Sequence, residues 1–276
     1  MLCQNKNRRL GMLDDLTNLQ ALLKDSTLLA TRGYIAGEWC DGENGQTFPV
    51  YNPARGDVIT DVADISRTQA AEAISISEKA QKLWAARPAK ERSNLLRKWY
   101  NLMMENQEDL ATILTAEQGK PLEEAKGEIA YGASFIEFFA EEAKRVYGET
   151  IPGHQSDKRI TVLKQPVGVA ASITPWNFPN AMITRKAGPA LAAGCAFIAR
   201  PAAETPLSAL AMGVLADRAG LPKGILSIIP SSRSSEIGKE FCENPIIRKL
   251  TFTGSTEVGR ILLKQASEQI MKCSME

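Results

Sequence analysis

From Val167 onward, short apolar runs alternate with helix-patterned stretches, and this alternation restricts the fold more than any other feature of the chain. The runs are VGVAASI (167–173), CAFIA (195–199), ILSII (225–229) and KLTFTG (249–254). Between and after them lie a helix over Ala181 to Ala193, one from Thr205 to Ala219, a short one near Ile237 and one beginning at Thr256. Four β-runs separated by helices imply an α/β protein whose parallel sheet is wound with right-handed crossovers. In such sheets ligands bind outside the carboxyl ends of the strands, so the residues just after each strand are the ones to inspect.

The first half reads differently. Residues 1–11 are polar and patternless, which predicts a disordered tail, and an amphipathic stretch begins at Met12. From Tyr34, the segments YIAGEW, TFPVYNP and GDVITDV are short β-prone runs split by Gly, Pro and Asn, as in small edge strands or hairpins. From Ser66 to about Tyr147 the spacing of Ala70, Ala73, Ile74, Leu83, Trp84, Leu95, Leu96, Trp99 and Met103 is helical, and these stripes are read as core. The segment EQGKP (117–121) marks a corner, with Gly119 ending one helix and Pro121 suiting the first turn of the next. After Tyr147, two extended runs around a polar turn predict a β-hairpin arm over 148–166, read as a subunit contact.

Composition removes several classes of function. Lys plus Arg total 33 against 32 Asp plus Glu, so no binding driven by nucleic acid or an anionic membrane is expected. The one histidine, His154, lies in the hairpin turn without a neighbouring partner, and a single imidazole excludes metal sites built from two or more. The five cysteines (Cys3, Cys40, Cys195, Cys242, Cys273) are odd in number, scattered and without a CxxC pair, which fits a reducing compartment, and they are read as packing or incidental thiols, Cys242 and Cys273 in helical runs. The longest apolar stretch, Pro189 to Ala199, falls short of the roughly 18 residues of a membrane helix, and Asp14 and Asp15 follow Arg8 and Arg9 where a secretory signal would be apolar. A cytoplasmic location is expected.

Two of the strand ends carry chemistry. In TPWNFP (174–179) two prolines fix the backbone around Asn177, and a rigid amide donor at a strand end is what an oxyanion hole requires; a turn-stabilising asparagine has the same signature. TGSTEVGR (253–260) is a glycine turn running into a helix start, whose free N–H groups suit a pyrophosphate, although an ordinary βα loop reads the same way.

Taken in order, EQGKP, TPWNFP, RPAAETPLSAL and KLTFTGSTEVGR resemble the aldehyde dehydrogenase superfamily, and RVYGETIP, LKQPVGVAASITPWNFPNAMITRKAGPALAAGC and the final SME resemble its succinate-semialdehyde dehydrogenase branch. The resemblance implies a Rossmann-like coenzyme-binding domain over 12–147 and 167–276, with 148–166 as a homo-oligomerisation arm. It implies a two-step oxidation in which a thiolate attacks the aldehyde, hydride passes to a nicotinamide, and a glutamate activates water for thioester hydrolysis. Carried over, Asn177 donates to the oxyanion, Glu276 is the general base, and Arg185 grips the carboxylate of a semialdehyde substrate. Thr174, Pro175 and Trp176 line the cofactor groove, and Gly254 and Ser255 approach the dinucleotide. Ala203 stands where NAD-preferring relatives carry a ribose-binding glutamate, and with Arg200 nearby this predicts NADP, with NAD possible and Glu204 the alternative carboxylate.

Two departures from the family pattern carry expectations of their own. Ser231 replaces a turn glycine beside the adenine side of the groove. The sequence reaches Glu276 before the family's nucleophile, so the catalytic domain is expected to be absent and the 276-residue chain inactive alone. A glutarate-semialdehyde dehydrogenase, or a non-catalytic fragment that binds dinucleotide or pairs with subunits, are the alternatives.

Overall fold

The computed structural model describes residues 19–276, so the expected 1–11 tail and the start of the stretch at Met12 lie outside the described residues. A single turn, α1 (Leu19–Leu22), leads to β1 (Gly33–Ile35) and β2 (Glu38–Cys40), an antiparallel hairpin. β3 (Thr47–Tyr51) and β4 (Val58–Ala63) form a separate antiparallel pair. These are the small strands that the Gly- and Pro-split runs predict.

Four helices follow: α2 (Arg67–Ala85), α3 (Ala89–Glu105), α4 (Gln107–Gln118) and α5 (Leu122–Glu142). A reciprocal Ser66–Gln69 capping box opens α2. Gly119 ends α4 in the left-handed region at φ 84°, and Pro121 sits at the N-cap of α5, one residue outside the first turn. The corner predicted from EQGKP therefore forms. Trp84 and Trp99 are buried, and their indoles donate to the carbonyls of Leu191 and Met212 at 3.0 and 3.2 Å, which satisfies the polar edge of each ring. Leu83 departs from the expected stripe and is 76% exposed, because a helical neighbour of Trp84 is turned about 100° away from it.

β5 (Glu149–Pro152) and β6 (Arg159–Val162) pair as an isolated antiparallel ribbon, all of whose residues are exposed. Beyond it come β7 (Val169–Ile173), α6 (Ala181–Ala193), β8 (Ala196–Arg200), α7 (Pro206–Ala219), β9 (Leu226–Ile228), α8 (Ser234–Glu243), β10 (Ile247–Phe252), α9 (Thr256–Ser267) and β11 (Lys272–Met275). The main sheet has the order β11-β10-β7-β8-β9-β1-β2, parallel from β11 to β9 and antiparallel where β1 and β2 complete its edge. Helices α2, α8 and α9 pack together as one group, and α3 to α7 as another. Every residue of β7 and β8 is buried, as expected of central strands covered on both faces.

One strand corrects the sequence reading. The pattern places Cys273 in a helical run, whereas it lies on β11, paired in parallel with β10 through Leu250. Four residues are too few to display a period, and the open edge of β10 decides their conformation. Among the described residues no helix is long and apolar enough to cross a membrane, and no cluster of three or more His, Cys, Asp or Glu is arranged to hold a metal.

Candidate functional site

The chain runs from β7 to β8 to β9 on one side, then places β10 on the other side of β7, so the winding direction reverses between β7 and β10. A crevice opens at such a switch point beyond the strand ends. Here the ends of β7 and β10 are tied together, with Thr253 N–H donating to the Ile173 carbonyl at 3.2 Å. The Asn177 loop follows β7 and the Gly254–Ser255 turn follows β10, so two of the segments singled out in the sequence become neighbours.

Glu276 joins them from β11. Its N–H donates to the Phe252 carbonyl at 3.0 Å, and its carbonyl accepts from Gly254 N–H at 3.2 Å. The carboxylate accepts from the Thr253 hydroxyl at 2.9 Å, and that hydroxyl accepts from the buried Lys186 ammonium at 2.7 Å. Lys186 Nζ and the Arg185 guanidinium each stand 3.6 Å from the carboxylate. The Thr253 bond, aided by the two cations, holds the Glu276 carboxyl below the usual glutamate range, while burial pulls the Lys186 ammonium down. Arg185 lies 5.4 Å from the Phe135 ring centroid. Lys186 and Thr253 were not singled out in the sequence; the only signal for them was adjacency to Arg185 and Gly254.

Asn177, Trp176 and Phe178 are exposed on their loop, with Trp176 at 53%. Pro175 is half-buried and Thr174 is buried, its hydroxyl without a protein partner. Gly254 and Ser255 are exposed where α9 begins, and Ser255 caps that helix by accepting from Val258 N–H at 3.4 Å. A Cβ on Gly254 would meet the Phe252 ring at 2.6 Å, so only glycine lets the turn lie this close to the strand end. An exposed helix start and an orphaned buried hydroxyl at the crevice fit a dinucleotide.

Arg200 departs from the sequence expectation. Its side chain is buried, and the guanidinium donates to the Ser231 carbonyl at 2.8 Å and to the Ser234 hydroxyl. It fixes the 231–234 turn rather than projecting as an open cation, with Nε buried and lacking a protein partner. The same turn explains why glycine is dispensable at Ser231: its φ is not in the left-handed region, and its hydroxyl lies 2.8 Å from the Ile65 carbonyl and 3.1 Å from Asp64 Oδ1. Ala203 is half-buried in the loop after β8, and Glu204 beside it is exposed.

A cavity of about 480 Å³ runs beneath Glu276, lined among others by Arg185, Lys186, Cys195, Phe197 and Lys249. Cys195 shares this space, but burial pushes its thiol up. Burial likewise raises Cys40 and Cys273 and pushes Cys242 up to about 12. None of the four described cysteines is in the electropositive, accessible setting of an activated thiolate.

Residues 39–276 match the model of the aldehyde dehydrogenase family. The chain is similar to a glutarate-semialdehyde dehydrogenase of Pseudomonas aeruginosa, with 58% identity over 92% of this chain and 52% of that protein. Likeness to the NADP(+) succinate-semialdehyde dehydrogenase of Escherichia coli is 56% over 92% of this chain and 52% of the relative. Among solved structures, an aldehyde dehydrogenase from Brucella melitensis biovar abortus superposes with a TM-score of 0.91 at 57% identity, covering 92% of this chain and 52% of that one. The chain thus spans about half the length of the curated relatives it matches.

Proposed function

The chain belongs to the aldehyde dehydrogenase family, and from that premise we propose that the protein serves the NAD(P)-dependent oxidation of a carboxylated aldehyde, succinate semialdehyde first. The observation that carries this reading is the Glu276 carboxylate, held by Thr253 and flanked by Arg185 and Lys186 at the mouth of the switch-point crevice. Dinucleotide bound along that crevice would supply the hydride acceptor. Asn177, on a loop fixed by Pro175 and Pro179, would offer its amide N–H to the oxygen of the attacked aldehyde. Glu276 would take a proton from water, held for that role by the Thr253 hydroxyl, which donates to the carboxylate and accepts from Lys186. Arg185 would meet the remote carboxylate of the substrate. The attacking thiolate would not come from the four described cysteines, whose pKa values are all raised, so on these residues alone the chain binds coenzyme and carries the base without turning over aldehyde.

Glutarate semialdehyde is the second reading. One methylene shifts discrimination by only about 1–3 kcal/mol, and Arg185 recognises the carboxylate at either length. The coenzyme proposed is NADP, supported by Ala203 in place of a carboxylate that would repel a 2′-phosphate and by the NADP(+) named for the Escherichia coli relative. The exposed β5–β6 ribbon, with Ile151, Ile160 and Val162 open to solvent, is the proposed subunit contact. Scattered, unpaired cysteines support a reducing, cytoplasmic setting.

The test is a titration of the chain with NADP⁺ and NAD⁺, followed by tryptophan emission, alongside Ala203→Glu. Tighter binding of NADP⁺ that Ala203→Glu reverses is expected. Binding of neither dinucleotide overturns the proposal, and tighter binding of NAD⁺ overturns its coenzyme choice.

A further inference from the structure

The EQGKP corner is recognisable in the sequence but plays no part in the chemistry above. In three dimensions it touches the Asn177 loop at the crevice and, on its other side, the start of α7. Lys120, at the corner between α4 and α5, donates to the Asn177 carbonyl at 3.0 Å and lies 3.8 Å from the Phe178 ring centroid. Its charge is answered by Glu128 on α5 at 2.5 Å, and the two side chains are only 11% and 1% exposed. Glu128 also accepts from the N–H groups of Asn180 and Ala181 at 3.0 and 3.3 Å, where α6 begins. Gly132, one turn further along α5, admits Asn180 so closely that a Cβ there would lie 2.2 Å from its Oδ1. Across the corner, Glu117 on α4 accepts from Leu207 and Ser208 N–H at 2.7 Å each, at the start of α7 and just after the 200–206 loop.

We propose that Lys120 is a positioning residue, which with Glu128 pins the Asn177 loop from its middle to its junction with α6 and so holds Trp176 and Asn177 where the dinucleotide and the reacting carbonyl must meet them. The inference rests on the coenzyme-binding reading above. It follows from where the contacts fall: Lys120 takes the loop at residues 177 and 178, and Glu128 takes it at 180 and 181. Only backbone and one ring are gripped, so the loop is fixed while the Asn177 amide and the Trp176 indole stay available. An ion pair this buried is costly unless its remaining valences are filled, and here every extra bond goes to the loop. A pair serving only the α4–α5 packing would have no reason to reach it.

Because Lys120→Met alone strands the buried Glu128 charge, the informative variant is Lys120→Met with Glu128→Gln, which removes both charges and keeps an acceptor for the α6 N–H groups. It is compared in the 276-residue chain with Lys120→Arg, which retains the charge and donors. Two quantities are read: NADP⁺ affinity, and acrylamide quenching of Trp176, taken as the difference from the matched Trp176→Phe chain. The double variant is expected to bind NADP⁺ about tenfold more weakly with Trp176 more readily quenched, as loss of a charge-assisted tie to the loop implies, and Lys120→Arg to restore both. Affinity and quenching equal to the parent chain overturn the proposal. So does weakened binding with Trp176 quenching unchanged, because the loss then does not pass through the loop. Should the parent chain bind no dinucleotide, the coenzyme reading fails, and the quenching comparison alone still decides whether Lys120 holds the loop.

Discussion

Two glycines on α5 make a paired test of how tightly this helix sets the site. At Gly127 an added Cβ would meet nothing within 4 Å, and the position is exposed. Alanine there gains only helix propensity, a stabilisation of about 1 kcal/mol. At Gly132 the same Cβ would fall 2.2 Å from Asn180 Oδ1, 3.1 Å from Thr184 Oγ1 and 3.3 Å from Ala181 Cα. Asn180 is fully buried, so its short amide has no solvent to swing into. Overpacking of this kind costs about 1–3 kcal/mol against the same propensity gain of about 1 kcal/mol, leaving a net change between about zero and a loss of about 2 kcal/mol. The Gly132→Ala chain should therefore be less stable than Gly127→Ala by about 1–3 kcal/mol, the overpacking cost that only the former carries. Urea unfolding of the parent and both variants, compared at constant m, reads this directly. Gly132→Ala should also weaken dinucleotide binding, because Asn180 and Ala181 must move. A Gly132→Ala chain as stable as Gly127→Ala would refute the close approach of α5 to the loop.

Other perturbations test the electrostatics. Replacing Thr253 by Val removes the bond that chiefly depresses Glu276, so ¹³C-detected titration of that carboxyl should show its pKa rising toward the ordinary glutamate value. Since the native pKa is the lowered one, any stability Glu276 lends is present at neutral pH and lost as pH falls through that value, and Thr253→Val should weaken this acid-side loss. Glu117 behaves oppositely: burial pushes it up to about 8, so the folded chain holds its proton while the unfolded chain releases it, and stability falls as pH rises from about 4.5 to 8. Glu117→Gln should flatten that slope, which is at most about 1.4 kcal/mol per pH unit; an unchanged slope in chemical denaturation would show that Glu117 is ionised. With every described thiol raised, iodoacetamide at pH 7.5 should label the buried Cys195 and Cys242 far more slowly than free cysteine, and rapid labelling of either by peptide mass analysis would contradict their placement.

The alternation of apolar runs and helical patterns is enough to imply the parallel sheet, because each strand and helix displays its own period locally. The Gly119 corner was legible for a similar reason: a left-handed helix end leaves a glycine behind it. Asn177 between two prolines and Gly254 before a helix start were visible as chemically unusual strand ends. The sequence could not show that the strand order reverses between β7 and β10, nor that the four residues of β11 add to that edge and bring Glu276 beside Thr253. Strand order and edge pairing depend on contacts between segments distant in sequence. The bond from Lys186 to Thr253 spans 67 residues, that from Lys120 to the Asn177 carbonyl 57, and no local periodicity records either. Arg200 makes the same point in reverse: its place near Ala203 suggested a part in coenzyme choice, and packing against the 231–234 turn buried it. Local periodicity and backbone preference were written in the chain, whereas the meeting of charges at the crevice was decided by tertiary packing, because long-range electrostatics and burial exist only once the sheet has closed.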